Sequence, residues 1–120
     1  IVNEHEACLL GETDDLTEAS QRLASWVEHL IVTLGSNGSV IYHSGSEVAR
    51  VPARDVIAID TTGAGDTYCG AFAAAISEGQ SVPDAAAFAT AAAALSVQIL
   101  GAVPSIPSRD RITAMLAEPA

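Results

Sequence analysis

The glycine-rich stretch IDTTGAGDTYCGAF at residues 59–72 contains the residues best suited to chemistry. Gly63, Ala64 and Gly65 permit a tight turn and a close approach of the backbone to a ligand. A helix that begins here adds about half a positive charge at its N-terminus, so the turn can hold an anion with peptide N–H groups alone. Asp66 follows directly, and its carboxylate could take a proton from an attacking hydroxyl while the amides hold a phosphoryl group.

A structural explanation of the same residues stays open. An aspartate at the start of a helix often caps it, and glycines often only make a tight connection. Gly70 falls one turn into the predicted helix, so the stretch does not match the GxGxxG fingerprint of dinucleotide-binding proteins. The local pattern alone therefore allows both phosphate binding and simple helix capping.

The charge of the chain restricts how a phosphate could be held. The 120 residues include 15 acidic side chains and five basic ones, for a formal charge of −10. All five bases are arginine, which excludes a phosphate loop of the GxxxxGK[ST] type. A nucleic-acid partner is not expected, because binding to a phosphate backbone requires a cationic surface. A bound phosphate must be held by amides, by arginine or by a metal ion.

The composition predicts a folded domain in a reducing compartment. Apolar residues make up 49% of the chain, which is typical of one domain with a real core. Cys8 and Cys69 stand in apolar settings without zinc or redox spacing, so we expect buried thiols and a cytoplasmic location. We expect neither a secretory signal nor a membrane span, because the apolar run 85–97 is short and rich in alanine. A zinc site on His5 is not expected, because no second histidine has a suitable spacing.

The elements that must position the glycine-rich stretch alternate between strands and helices. The chain begins as the end of a strand that runs into a polar loop at residues 3–6. The further predicted strands are 30–35, 39–43, 47–53 and 56–60, with turns at Asn37-Gly38 and at 44–46. The predicted helices are 13–30, 66–79, one from the Ser81 cap to Gly101, and a short one that follows a Ser108 cap. This alternation predicts an α/β sheet with antiparallel strands at one side, and ligands are expected at the carboxyl ends of its strands.

Four motifs in the chain resemble the ribokinase-like sugar kinases, the phosphofructokinase-B or pfkB family. DTTGAGDTYCGAF is similar to the second signature of that family, and NEHE at 3–6 to its N-x-x-E motif. TLGSNG at 33–38 resembles its nucleotide-side strand and turn, and GAVPSIPSRDRI at 101–112 its C-terminal loop. The resemblance implies a ribokinase-like three-layer α/β/α fold. Residues 1–120 would be its C-terminal nucleotide-binding and catalytic half, without the N-terminal sugar-binding half and lid.

The same resemblance implies a set of site residues for ATP-dependent phosphorylation of a sugar hydroxyl. Asp66 would be the base, and the amides of Gly63, Ala64, Gly65 and Asp66 would stabilise the transferring phosphoryl group. Asn3 and Glu6 would act near Mg²⁺ and the phosphates. The implied nucleotide contacts are Thr33, Gly35, Gly38 and Thr90. The implied oxygen ligands of a monovalent cation such as K⁺ are Asp60, Thr62, Ser96, Ile99, Gly101 and Ser105.

Several alternatives remain beside this assignment. Residues 3–6 could be a solvated polar loop, and Asn37-Gly38 could be only a hairpin turn. Thr90 could be a packed helix residue. The loops that contain the implied cation ligands could serve only to pack against one another. Ribose is the first expected substrate, with fructose, 2-keto-3-deoxygluconate or a nucleoside as alternatives. The chain could also be a non-catalytic nucleotide-binding or interaction fragment. Without the sugar-binding half we expect very weak activity or none, and self-association through a face that the missing half would cover.

Overall fold

The structure is a computed structural model that describes residues 1–119. The chain divides into two compact units, Ile1–Pro52 and Ala53–Ala120. Among the described residues, the strands all lie in the first unit, which also contains two α-helices and a short 3₁₀ helix, Gly35–Asn37, and three further α-helices lie in the second. Within the part of the chain that the structure describes, no helix is long and apolar enough to cross a membrane.

The first unit is a four-stranded mixed sheet with two helices. Its strands lie in the order β1-β2-β3-β4, with β1 parallel to β2 and the other neighbours antiparallel. This confirms the predicted antiparallel strands at one side. The elements are β1 (Val2–Asn3), α1 (Glu4–Gly11), α2 (Leu16–Ala24), β2 (His29–Thr33), β3 (Ser39–His43) and β4 (Ser46–Val51).

Close packing of α1 against α2 forms the core of this unit. Ala7, Ala19 and Leu23 of the helices are buried together with Leu30 and Val32 of the sheet. A Cβ atom on Gly11 would lie 2.8 Å from Cα of Ala19, a distance that real contacts do not reach. A glycine is therefore required where the two helices meet.

The prediction of a polar loop at residues 3–6 is wrong, because α1 begins there with Asn3 as its N-cap residue. The Asn3 side chain accepts a hydrogen bond from the Glu6 amide at 2.8 Å, and the Glu6 carboxylate accepts one from the Asn3 amide at 2.9 Å. This reciprocal pair is a capping box, and it satisfies two amides at the start of α1. The N-x-x-E spacing contained this signal, which the prediction did not use.

The predicted helix 13–30 is too long at both ends. Asp15 caps α2 through its side chain, and the helix ends at Ala24. The Ser25 hydroxyl then donates to the Arg22 carbonyl, and Trp26 is 61% exposed. Leu30 continues the helical spacing by coincidence, since it is buried as a residue of β2. Pairing with β3 decides the structure of this segment more strongly than its periodicity does.

The second unit packs three helices around small side chains. These helices are α3 (Ala64–Ser77), α4 (Val82–Ser96) and α5 (Arg109–Leu116). Their shared core contains Ala75, Phe88, Ala92 and Ile112, and the alanines let α3 and α4 approach closely. The predicted caps are confirmed, because the Ser81 and Ser108 side chains each accept an amide hydrogen bond at a helix start.

The helix predicted to reach Gly101 ends at Ser96. The Val97 carbonyl accepts hydrogen bonds from the Ile59 and Asp60 amides, which come from the chain before α3. Gly101 itself has a φ of 93°, in the left-handed region that favours glycine. The last turn is therefore replaced by contacts with residues distant in sequence.

The strand predicted at 56–60 is not formed. Residues 52–60 have no regular secondary structure, and Ile57 and Ile59 are 84% and 66% exposed. A buried strand needs a neighbouring strand for its backbone groups, and among residues 1–119 no strand pairs with this segment.

The prediction of two buried thiols is also wrong, since Cys8 is half-buried and Cys69 is exposed, both as free cysteines.

Candidate functional site

The glycine loop opens α3 with a residue that must be glycine. Gly63 is the N-cap residue, has a φ of 79°, and makes no side-chain capping hydrogen bond. A Cβ atom at this position would lie 3.3 Å from Cβ of Ala102, so the loop after α4 also leaves little room for a side chain. Backbone conformation and packing together explain why the chain has glycine here.

Two peptide N–H groups at the start of α3 point to no acceptor within residues 1–119. The Ala64 amide donates to the Thr61 carbonyl at 3.1 Å, and the Thr67 amide makes the first helical bond, to Gly63, at 2.9 Å. The amides of Gly65 and Asp66 lie between these bonded groups and have no such partner. A Cβ atom on Gly65 would meet no atom within 4 Å. The helix start therefore offers free donors beside open space, as anion sites at helix N-termini do.

Asp66 stands beside these amides in the first turn of α3. Its carboxylate is exposed and makes no hydrogen bond or ion pair with any residue that the structure describes. The capping alternative is not realised, because no side chain caps this helix. A carboxylate that no neighbouring side chain or amide occupies is available to a ligand hydroxyl.

An apolar cleft of about 450 Å³ adjoins Asp66 in the second unit, a volume in the range of small-molecule sites. Arg109 lies at the cleft, with its guanidinium 5.2 Å from the centre of the Phe88 ring. The same guanidinium pairs with Glu78 at 2.5 Å. Sequence reasoning identified neither Phe88 nor Arg109 as a neighbour of Asp66, because the three residues lie on different helices and no local signal connects them.

The Asp60 carboxylate joins the glycine loop to the loop that follows α4 through hydrogen bonds. One carboxylate oxygen accepts from the Thr62 amide at 2.9 Å, and the other accepts from the Gly101 amide at 2.8 Å. Hydrogen bonds from the Thr62 side chain, the Gly101 amide and the Thr62 amide hold the pKa of Asp60 below its ordinary value. The carboxylate is therefore charged at neutral pH and fixes the position of both loops.

Hydrogen bonds connect some residues of the predicted cation site to one another. Asp60, Thr62 and Gly101 are joined by the hydrogen bonds just described. The hydroxyls of Ser96 and Ser105 are buried and donate to carbonyls of their own segments, at 2.8 Å and 2.6 Å. The Ile99 amide donates to the Ser96 carbonyl at 3.3 Å.

In the first unit, the predicted nucleotide residues cluster at the carboxyl ends of β1 and β2. Asn3 and Thr33 are partners in the parallel register, and the Thr33 hydroxyl donates to the Val2 carbonyl at 3.4 Å. The turn after β2 contains Gly35 and Gly38, both with positive φ. The edge of the sheet thus brings Asn3, Glu6, Thr33, Gly35 and Gly38 into one region, as expected for ligand sites in α/β proteins.

Thr90, the remaining nucleotide candidate, lies on α4 of the second unit and is half-buried. Its hydroxyl donates to the Ala86 carbonyl one turn earlier, at 2.7 Å. This bond accounts for the residue as part of the helix, so its assignment to the nucleotide stays a prediction.

Comparison with known proteins places these features in one family. The family model described as pfkB family carbohydrate kinase matches residues 1–109. The chain is 41% identical over 116 residues to the ribokinase of Lactococcus lactis, covering 97% of this chain and 37% of that protein. It therefore spans well under half the length of this relative.

Solved structures of the same family have a fold similar to that of this chain. Arabidopsis thaliana ribokinase, in complex with ribose and ATP, matches with a TM-score of 0.88 and 37% identity over 98% of this chain and 40% of that one. Vibrio cholerae fructokinase, with fructose, ADP and potassium bound, matches with a TM-score of 0.87 and 29% identity over 96% of this chain and 40% of that one. The predicted ribokinase-like α/β fold is confirmed, and the chain belongs to the pfkB family of carbohydrate kinases.

Proposed function

We propose that this chain is the C-terminal, nucleotide-binding and catalytic half of an ATP-dependent carbohydrate kinase. The observation that carries the proposal is the start of α3, where the unpartnered amides of Gly65 and Asp66 lie beside the unpaired Asp66 carboxylate. Donors without an acceptor suit a phosphoryl group, and a carboxylate without a partner suits a hydroxyl. Both ligands are present in the Arabidopsis ribokinase complex with ribose and ATP.

In the proposed reaction the amides and the carboxylate act on different atoms. The sugar hydroxyl oxygen attacks the terminal phosphorus of ATP, its proton passes to the Asp66 carboxylate, and the bond from that phosphorus to the bridging oxygen breaks as ADP leaves. Amides at the start of α3 hold the negative oxygens of the transferring group. These donors are fixed by the helix before the substrate arrives, so little reorganisation is needed.

Asn3 and Glu6 are proposed to act near the phosphates and Mg²⁺. The capping box uses the Asn3 side-chain oxygen and one Glu6 oxygen, which leaves the Asn3 side-chain nitrogen and the second Glu6 oxygen for a ligand. A free carboxylate oxygen is the donor type that Mg²⁺ prefers, so the residues fit that ion. The ion would neutralise phosphate charge, which a chain with a formal charge of −10 needs. Thr33, Gly35, Gly38 and Thr90 remain the proposed nucleotide contacts.

A monovalent cation is proposed beside the glycine loop, as potassium is present in the fructokinase structure. The donor chemistry fits, because a carboxylate and backbone carbonyls make a site of hard oxygen ligands. The Asp60 carboxylate accepts from two amides and from the Thr62 side chain, and its two oxygens offer about four lone-pair sites, so acceptor capacity remains for a cation. The residues that would hold the ion are Asp60, Thr62, Ser96, Ile99, Gly101 and Ser105. A bound cation would stabilise the two loops that Asp60 joins.

Ribose is the proposed substrate, because two relatives that are each 41% identical to this chain are ribokinases. Relatives of known structure that act on fructose or on nucleosides keep those classes as alternatives, and 2-keto-3-deoxygluconate is a further one. Since the chain covers 37% of the Lactococcus lactis protein, we propose that the sugar-binding half lies outside it. The isolated chain is then expected to bind ATP but to transfer phosphate very weakly or not at all.

The test is phosphoryl transfer from labelled ATP in a longer polypeptide that contains this chain, with ribose and a panel of sugars and nucleosides. Asp66→Asn keeps the shape of the side chain and removes the base, so we expect a rate loss of roughly 10²-fold to 10⁴-fold with ATP affinity retained. An unchanged rate would remove Asp66 from this role. The second candidate, a non-catalytic nucleotide-binding fragment, predicts that calorimetry with ATP and Mg²⁺ shows binding while the longer polypeptide transfers no phosphate to any acceptor, so transfer in the longer polypeptide separates the two candidates.

A further inference from the structure

A cluster of three metal-ligating side chains lies at the start of β2, in the first unit. Glu28, His29 and His43 each offer one ligand atom, and these atoms all lie within 4.8 Å of one another. His29 and His43 are directly opposite in the antiparallel register of β2 and β3. Their rings are 4.4 Å apart between centroids, at an angle of 82°. Two imidazoles and a carboxylate thus share one small region of surface.

The surrounding sheet holds this cluster in place. Leu30 and its register partner Tyr42 pack into the core of the unit, so the adjacent pair His29 and His43 lies on the other face. A slip of one residue in the pairing would turn the core side chains outward, which makes the register costly to change. The Ser44 amide also donates to the Glu28 carbonyl at 2.8 Å, which ties the residue before β2 to the residue after β3.

We propose that Glu28, His29 and His43 bind a divalent transition metal ion of the zinc class. Imidazole nitrogen and carboxylate oxygen are zinc ligands, and three protein ligands leave one position for water. Tetrahedral zinc with bonds of about 2.0 to 2.1 Å brings its ligand atoms to about 3.3 Å from one another. All three side chains are exposed, so rotation about their side-chain bonds can close the remaining distance without disturbing the core.

This site is separate from the proposed kinase chemistry. His29 begins β2 and Thr33 ends it, so the two residues are about 13 Å apart along the strand. A metal ion here would join β2 to β3 at the end remote from the nucleotide residues and stabilise the hairpin. The proposal therefore stands whether or not the chain acts as a kinase. Spacing alone gave no sign of it, because His29 and His43 meet only through strand pairing.

The test is calorimetric titration of the chain, prepared without a polyhistidine tag, with Zn²⁺. We expect one ion per chain. His29→Gln and His43→Gln should each weaken binding by more than about tenfold, since even outer-shell partners of zinc ligands contribute that much. His5→Gln is the matched control, because His5 is the third histidine, is exposed and lies on α1. Zinc binding that survives the double His29→Gln/His43→Gln change, or that is lost with His5→Gln, would overturn the proposal.

A spectroscopic measurement on the unsubstituted chain keeps the test independent of variant folding. Cu²⁺ binds nitrogen and oxygen sites more tightly than Zn²⁺ and serves as the probe. Electron paramagnetic resonance should show nitrogen coupling from two imidazoles at one equivalent of Cu²⁺, and added Zn²⁺ should compete for the site. Coupling to fewer than two imidazoles contradicts the assignment.

Discussion

The open space beside Gly65 allows a binding role of the glycine loop to be separated from a structural one. Gly65 lies in the first turn of α3, its φ is not positive, and a Cβ atom there would meet no protein atom within 4 Å. Alanine is favoured over glycine within a helix by roughly 0.5 to 1 kcal/mol. We therefore expect Gly65→Ala to leave the free energy of unfolding unchanged or to raise it by up to about 1 kcal/mol.

The same substitution is expected to damage catalysis. A phosphoryl oxygen that accepts from the Gly65 amide must come within about 2.9 Å of the nitrogen, and the new methyl group stands next to that path. Loss of one donor of this kind lowers the rate by roughly 10²-fold to 10³-fold. The rate of phosphoryl transfer from labelled ATP to ribose, measured in a longer polypeptide that contains this chain, should fall by about that factor.

A matched control on the same helix shows whether a rate loss is specific to position 65. Ala73→Ser adds one atom to an exposed position of the same helix, outside the residues that line the cleft, and should leave the rate unchanged and lower the stability by no more than about 0.5 kcal/mol. Thermal unfolding of all three proteins gives the stability comparison. A Gly65→Ala protein that transfers phosphate at the full rate would show that no ligand approaches this amide. Marked destabilisation would show instead that the loop needs glycine for its own fold.

Three further predictions concern stability and association. Asn3→Ala removes half of the capping box and should lower the free energy of unfolding by about 1 kcal/mol in denaturant titration, whereas Asn3→Asp, which still caps, should not. The pKa of Asp60 is lowered in the folded state, so its stabilising effect is present above its ordinary pKa of 3.8 and lost as pH falls through the lower folded value. Asp60→Asn should therefore be less stable than the unsubstituted chain at pH 7 and show a smaller loss of stability on acidification; equal curves would contradict the bridge between the two loops. The unpaired segment with exposed Ile57 and Ile59 should promote self-association, which sedimentation at high concentration should show and Ile57→Asp should reduce. A clean monomer before substitution would count against this expectation.

Much of the fold followed from local chemistry in the sequence. The Ser81 and Ser108 caps, the glycine loop before α3 and the hairpin of β3 and β4 depend on residues close in the chain. Such signals act through backbone groups within one or two turns, so no distant contact is needed to interpret them. Motif order also identified the family, and the N-x-x-E motif proved to be a helix cap as well.

By itself, then, the sequence determined the Ser81 and Ser108 helix caps, the glycine loop, the hairpin of β3 and β4, the family and the residues proposed for the chemistry around Asp66. Tertiary structure alone decided that 56–60 is not a strand, because strand formation depends on a partner and not on apolar content. It also decided that Asp60 joins two loops and that His29 faces His43. These contacts connect residues far apart in the chain, and a local pattern carries no information about which distant group completes a hydrogen bond or a ligand set.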